Sequence, residues 1–340
     1  MSEKIDDIVK YTPNMLDDYT TGVEIEAFGL GSMRYSRMCE LMSQSTECPF
    51  IETNWNTHTS SHDEWQIKSD GSIRIDNSKS PNYSTPVEFV SPILVGANGL
   101  ENLYNVINAI KHYGFDTNSS CGIHVHVGWK PFFNISVENM EMTSPYFAKL
   151  LYYFCKFEPI IDLMLTINRR GTANSYCKSN VYYVNSRELF PNIKRPGRNL
   201  RTIIDYAGGE KYMKLNFQTL YRNTVEHRAF PGFLDFDLTV AWIWFCQKFT
   251  HKAISMKTFA DVPCSTFEDL MNFLCTDKDY KYKVLDSTRE YVKTLYNHAS
   301  MLNYVYSDYT KRSDKDKVMS QAQLNITKNG FLDNILTEGE

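Results

Sequence analysis

Apolar and polar residues alternate strictly from Thr21 to Gly29, where Val23, Ile25 and Ala27 are separated by Glu24 and Glu26. A period of two predicts a strand with one apolar face. The same period recurs in Thr85–Ser91 around a single acid, Glu88, with Pro92 ending the run. It recurs in Cys121–Gly128, where His124 and His126 interrupt an apolar stretch, and in Asn223–Phe230, which carries Glu226 and Arg228. Tyr212–Leu220, with Lys214 and Asn216 on one face, reads as a strand joined to this last one by Tyr221-Arg222. Trp65–Lys68 runs into Ser69-Asp70-Gly71-Ser72. An Asp-Gly pair between Ile67 and the alternating Ile73 and Ile75 predicts a hairpin turn.

Helical spacing governs other stretches. Leu100, Leu103, Val106, Ile107 and Ile110 predict a helix over Leu100–His112, with Gly114 positioned to cap it. Helices are also expected over Ser32–Ser43, Pro145–Ile167 with a bend at Pro159, Leu238–Lys252, Thr266–Cys275 and Asp286–Tyr306. Ser175–Asp205, rich in Tyr, Asn and Arg and holding Pro191 and Pro196, reads as a long functional loop that sets the substrates. Strands and helices are mixed rather than alternating in βαβ units, so the expected class is α+β. A loose arm is expected over residues 1–19, a catalytic domain over 20–260 and a helical C-terminal extension over 261–340.

Composition narrows the function classes. With 42% hydrophobic and 22% charged residues, the 340-residue chain has the balance of a soluble globular protein. A formal net charge of −4 provides no global basic field, so neither nucleic acid nor an anionic membrane is an expected partner. The 8 cysteines include no C-x-x-C pair, which excludes a zinc ribbon. The opening MSEKIDDIVKY has no apolar signal region, so a cytoplasmic location with free thiols is expected. The most apolar stretch, Tyr146–Ile167, is broken by Lys149, Lys156, Glu158, Pro159 and Asp162 and reads as a core helix. Neither a P-loop nor a G-x-G-x-x-G stretch occurs.

The candidate chemistry lies on the polar faces of the strands. Taken singly, each piece has an ordinary reading: a solvated acidic edge for Glu24 and Glu26, a structural His-x-His, a cross-strand ion pair for Glu226 and Arg228. On one sheet, however, they would form a face with four carboxylates, two imidazoles and a guanidinium, too costly to bury dry. A cleft holding cations satisfies that face. Oxygen-rich donor sets with few imidazoles suit Mg²⁺ or Mn²⁺ better than Zn²⁺. An arginine beside them fits an anion brought in on the metals, such as a phosphate. Arg169 and Arg170, after a helix, are candidates for a substrate carboxylate or phosphate, or else a basic helix end facing its dipole.

The order Gly-Val-Glu-Ile-Glu, Asp-Gly-Ser, Val-Glu-Phe-Val-Ser-Pro, Gly-Ile-His-Val-His-Val and Thr-Val-Glu-His-Arg, across roughly residues 20–240, resembles the amidoligase family. That family belongs with the carboxylate–amine ligases that include glutamine synthetase and glutamate–cysteine ligase. The resemblance implies a glutamine synthetase-like curved antiparallel sheet, helices packed on its convex side, and a concave face for ATP and several Mg²⁺ ions. Carried over motif by motif, it implies Glu24, Glu26, Glu88, His124 and Glu226 as metal ligands. It implies His126 and Arg228 as ATP contacts, and the Lys68–Asp70–Ser72 turn as substrate-side. Lys214 toward ATP, and Asn216, Arg169 and Arg170 toward substrate, are further candidates from their positions. At His227 the chain departs from the family, which usually has a bulky apolar residue there; facing the other way, His227 is expected to pack.

The expected activity is amide or isopeptide bond formation between a carboxylate and an amine of the amino-acid, peptide or polyamine class, through an acyl phosphate. Arg228 would stabilise the transferring phosphoryl group, and Asp70 is a candidate to take the amine's proton. An oligomer is possible. Two rivals are a binuclear metallohydrolase built on the same groups and a non-catalytic binding or structural protein with this fold.

Overall fold

The computed structural model describes residues 20–29, 31, 33–53, 63–75, 85–129, 142–195, 199–275 and 295–296. In chain order the elements begin β1 (Thr21–Gly29), α1 (Tyr35–Thr46), β2 (Phe50–Glu52), β3 (Trp65–Lys68), β4 (Thr85–Val90), α2 (Gly96–His112) and β5 (Gly122–Gly128). They continue with α3 (Ser144–Ile161), α4 (Asn180–Ser186), α5 (Phe190–Ile193), α6 (Leu200–Tyr206), β6 (Leu215–Asn216), β7 (Thr224–Pro231), α7 (Phe236–Ser255) and α8 (Phe267–Cys275). Seven strands and eight α-helices among the described residues make a mixed α/β architecture. The expected arm over 1–19 and almost all of the expected helix over Asp286–Tyr306 lie outside the described residues. Among the described residues no helix is long and apolar enough to cross a membrane.

The chain divides into two compact units, Met1–Asn134 with Thr219–Lys248, and Ile135–Gln218 with Phe249–Glu340. In unit 1 six strands run in the order β2-β3-β4-β1-β5-β7. All of these pairs are antiparallel except β2–β3, which is parallel. The register sorts side chains cleanly onto two faces. On one face Lys68 lies opposite Glu88, Glu88 opposite Glu26, Glu24 opposite His124, and His126 opposite both Gly22 and Glu226. On the other, Ile25 sits between Phe89 and Ile123, Ala27 opposite Val87, and Val23 opposite Val125, all fully buried.

That apolar face is where the helices of unit 1 anchor. Trp65 stacks on Phe50 and donates from Nε1 to Asn102 Oδ1 of α2 at 2.6 Å. Gln247 of α7 donates to Thr21 Oγ1 at 2.6 Å. Phe230 stacks on Trp242 with ring centroids 5.0 Å apart. Helix α2 buries Leu100, Leu103, Val106, Ile107 and Ile110, the spacing expected, and Gly114 follows it at φ +74°. That left-handed conformation favours glycine and stops the helix there.

Phe230 holds the one register surprise of this sheet. Strict alternation from Glu226 and Arg228 would put it on the charged face. Instead Val125 pairs with His227 and Ile123 with Phe230, so β7 spends three steps where β5 spends two. This bulge at Arg228-Ala229 returns Phe230 to the apolar face and leaves Arg228 in the irregular stretch beside the charged one. His227, opposite Val125, lies buried on the apolar face, as expected from its parity.

Three local expectations are corrected. Asp70-Gly71 does not close a hairpin: Asp70 Oδ1 accepts the Ser72 N–H at 2.7 Å, an Asx turn, and β3 pairs with the distant β4. Tyr212–Leu220 is not a full strand; only Leu215–Asn216 is extended, followed by a 3₁₀ turn over Gln218–Arg222. Asn223, at φ +62°, then redirects the chain into β7. Ser175–Asp205 is not a structureless loop. It forms α4, α5 and α6; Ser179 caps α4 by accepting the Tyr182 N–H, Asn199 caps α6 by accepting the Thr202 N–H, and Pro191 lies in the first turn of α5.

Unit 2 is built on α3, buried along most of its length. Phe157 of α3, Phe249 and Phe273 form a ring cluster with centroids 4.8–6.2 Å apart. Aromatic packing of this kind supplies large apolar area with defined geometry.

Candidate functional site

The charged face of the unit 1 sheet gathers its groups by register alone. Glu24 and Glu26 stand two residues apart on central β1, flanked by β4 with Glu88 and by β5 with His124 and His126. Glu226 comes in on β7 beside His126. His124 Nδ1 lies 3.0 Å from Glu24 Oε2 and 3.7 Å from Glu226 Oε1, and its Nε2 lies 3.5 Å from Glu26 Oε1. His126 Nε2 lies 3.2 Å from Glu24 Oε1 and 3.8 Å from Glu226 Oε1. Arg228 donates from Nη1 to Glu226 Oε1. At the other end, Lys68 Nζ meets Glu88 Oε2 at 2.7 Å.

The electrostatics show an excess of acid. Burial and the neighbouring charge of Glu24 push the Glu88 carboxyl well above its ordinary range, despite Lys68. Burial also opposes the charge of Glu24, but the imidazoles of His126 and His124 outweigh it and hold that carboxyl well below its ordinary range. His126 keeps its proton more tightly than usual, because Glu226 and Glu24 overcome the cost of burial. Arg228 stays protonated for the same reason, facing Glu226, Glu24 and Glu26.

The donor set fits divalent cations. Three groups each offer ligand atoms within 4.8 Å of one another: Glu24, Glu88 and His124; Glu24, His126 and Glu226; Glu26, Asp70 and Glu88. His126 Nε2 is buried in the cluster, 3.2 Å from Glu24 Oε1 and without an aligned hydrogen bond to it. Carboxylate-rich donors with single imidazoles are the chemistry of Mg²⁺ and Mn²⁺ sites. Glu24 belongs to two of the groups, as a bridging ligand would.

All of the expected metal-ligand residues converge here, and with them Asp70, Lys68, His126 and Arg228. Ser72 contributes its N–H to Asp70. The remaining candidates lie in unit 2. Lys214 is not offered to a phosphate: it is fully buried, with Nζ bonded to Asp162 and 3.1 Å from Glu158 Oε1. Asn216 is buried and accepts the Gln218 N–H. Arg170 donates to the carbonyls of Leu165 and Leu163, and Arg169 is buried near Cys177 Sγ.

A family model described as putative amidoligase enzyme matches residues 17–250. The chain belongs to that family. Membership supports a carboxylate–amine ligase in general. Among solved structures, this amidoligase-family chain is similar to a bifunctional glutathione synthetase from Pasteurella multocida, with a TM-score of 0.40 and 10% identity. The match covers 95% of this chain and 54% of that one, so the chain spans about half that protein's length; a likeness of that degree carries no argument. No curated protein matches in sequence.

Some groups at the site have no motif of their own. The Gly122 N–H donates to Glu26 Oε2 at 2.6 Å, fixing that carboxylate from the main chain. Gly22, opposite His126, leaves room that a side chain would take: a Cβ there would lie 3.4 Å from His126 Cβ. The glycines at the starts of the Gly-Val-Glu-Ile-Glu and Gly-Ile-His-Val-His runs are the only trace of either role in the sequence.

Proposed function

We propose that this amidoligase-family chain is an ATP- and Mg²⁺-dependent ligase that joins a carboxylate to an amine through an acyl phosphate, with Mn²⁺ as a possible substitute. The observation that carries this reading is the convergence of Glu24, Glu26, Glu88 and Glu226 on His124 and His126, with Arg228 beside them. A sheet that buries one face under helices and crowds charge onto the other is consistent with the glutamine synthetase-like arrangement.

Glu24, Glu26, Glu88, His124 and Glu226 would hold the divalent ions, and His126 has the position of a further ligand or a nucleotide contact. When bound, such ions draw phosphate oxygens together and neutralise their charge. The chain's own residues do the rest. Arg228, oriented by Glu226, presents its guanidinium to the phosphoryl group in transfer. A substrate carboxylate attacks the γ-phosphorus, ADP leaves, and the carboxylate has become an acyl phosphate. The amine then attacks the acyl carbon and phosphate departs. Asp70 is the candidate to take the amine's proton, with one oxygen tied to the Ser72 N–H and the other free to accept. The activation is needed because a free carboxylate does not react with amines at neutral pH.

The test is release of ADP and phosphate from ATP with Mg²⁺, stimulated by paired carboxylates and amines drawn from amino acids, peptides and polyamines. The expected result is stimulation by one such pair and a loss of more than about 100-fold in Glu226→Ala, the scale set by losing a metal's support. Unchanged release in that variant sinks the site. Hydrolysis without ATP, stronger with Zn²⁺, identifies a metallohydrolase instead.

A further inference from the structure

Lys68 has no task in the ligand set, yet it occupies the same row as two of its members. The register places Lys68, Glu88 and Glu26 side by side across β3, β4 and β1. We propose that Lys68 is the resident cation of the Glu26–Asp70–Glu88 group. Divalent ions then occupy the two groups that contain an imidazole, the third is closed to them, and Glu26, a member of that third group alone, is withdrawn from the ligand set proposed above. This inference rests on the metal-site reading of the proposed function and deepens it.

The three groups differ in what they hold. Two contain a histidine, whereas Glu26, Asp70 and Glu88 are carboxylates only, and all three are buried. Three buried carboxylates with no cation among them carry a large desolvation cost. The chain answers that cost internally, at each member. Glu88 Oε2 takes the ammonium at 2.7 Å, Glu26 Oε2 takes the Gly122 N–H at 2.6 Å, and Asp70 Oδ1 takes the Ser72 N–H at 2.7 Å. Every carboxylate of this group thus has one oxygen already spent on a donor from the protein.

An ammonium is a compact point charge able to stand where a metal would, although with one charge in place of two. Glu88 also belongs to the group with Glu24 and His124, so pinning one of its oxygens leaves the other for a metal there. The consequence is a count. The chain should bind one divalent ion fewer than its three ligand groups permit.

The experiment compares the full-length chain with Lys68→Met and Lys68→Arg, titrated with Mn²⁺ by calorimetry, with free Mn²⁺ read by electron paramagnetic resonance. The expected result is one additional Mn²⁺ equivalent in Lys68→Met and the wild-type number in Lys68→Arg. Mn²⁺ should also raise the melting temperature of Lys68→Met more than that of the wild type. The same or a smaller number in Lys68→Met overturns the inference while leaving the metal site standing. A wild type that binds no Mn²⁺ overturns both. Should Lys68→Met fail to fold, Lys68→Gln is titrated in its place. If neither folds even with saturating Mn²⁺, the inference is overturned, because a divalent ion ought to replace the ammonium.

Discussion

Unit 1 and unit 2 each bury a cluster of charges, on opposite terms. In unit 1 five carboxylates, Glu24, Glu26, Asp70, Glu88 and Glu226, face two permanent cations, Lys68 and Arg228. In unit 2 Glu158 and Asp162 share a single fully buried Lys214, and main-chain donors complete them: Val181 N–H to Glu158 at 2.9 Å and Gly171 N–H to Asp162 at 2.6 Å. There the ammonium binds its proton more tightly than usual, because Asp162 and Glu158 overcome its burial. The unit 2 cluster is closed and ties the end of α3 to α4 and to the segment before β6. Burial raises the Glu158 carboxyl as it raises that of Glu88, but in unit 2 two carboxylates exceed the one ammonium by one, whereas in unit 1 five carboxylates exceed the two permanent cations by three. Charge left over at a site that is otherwise well ordered is the mark of a place meant for something else to bind.

Removing one partner from each cluster separates their roles most clearly. Lys214→Met strands two buried carboxylates, and urea unfolding should show a loss of about 3–5 kcal/mol. Glu226→Gln removes one of several repelling charges, although it also loosens Arg228. Its unfolding free energy should fall by no more than about 1 kcal/mol while ligase turnover collapses. Equal stability losses in the two variants would erase the distinction between a structural and a functional cluster. Next in size, Arg228→Lys keeps the charge but loses the planar fork. Turnover should drop about 10²–10³-fold, the scale of losing one preorganised donor, with the fold unchanged by circular dichroism.

A pH effect sharpens the contrast between the two faces of β7. On the apolar side burial, assisted by the nearby His126, depresses the His227 imidazole to about 3. The unfolded chain therefore binds a proton near pH 6.5 that the folded chain refuses, and stability falls as pH drops through that value. Unfolding at pH 7 and pH 5 should differ by about 2 kcal/mol from this residue. Most of that difference should vanish in His227→Phe. The smallest effect lies at the sheet's frame: Ser91 Oγ accepts the Val23 N–H at 2.8 Å. Ser91→Ala should cost about 1 kcal/mol in thermal unfolding and leave metal binding unaltered.

Much of unit 1 was legible from period two, because a strand's alternation fixes which residues share a face. Glu24 and Glu26, and His124 and His126, needed only that rule plus a common sheet. The bulge at Arg228-Ala229 was not legible: nothing in Thr-Val-Glu-His-Arg-Ala-Phe marks the extra residue, and its reason, Phe230 reaching Trp242, lies in tertiary packing. The turn at Asp70-Gly71 misled because the dipeptide that closes hairpins also makes Asx turns. Lys214 was placed by parity in a stretch that is barely a strand, and parity carries no information once the backbone leaves the extended region. The helices α4 to α6 are short, single capping side chains start only α4 and α6, and their polar, Tyr-rich sequences show little period.

On this reading the acidic face of unit 1 binds divalent cations through groups that share Glu24. Thermal unfolding of the full chain across a Mg²⁺ or Mn²⁺ titration tests it without knowledge of the substrates. The predicted result is a saturable rise in melting temperature that Glu24→Gln largely abolishes, since that residue serves two of the three ligand groups. A wild type indifferent to both ions, or a Glu24→Gln variant that responds as the wild type does, would contradict it.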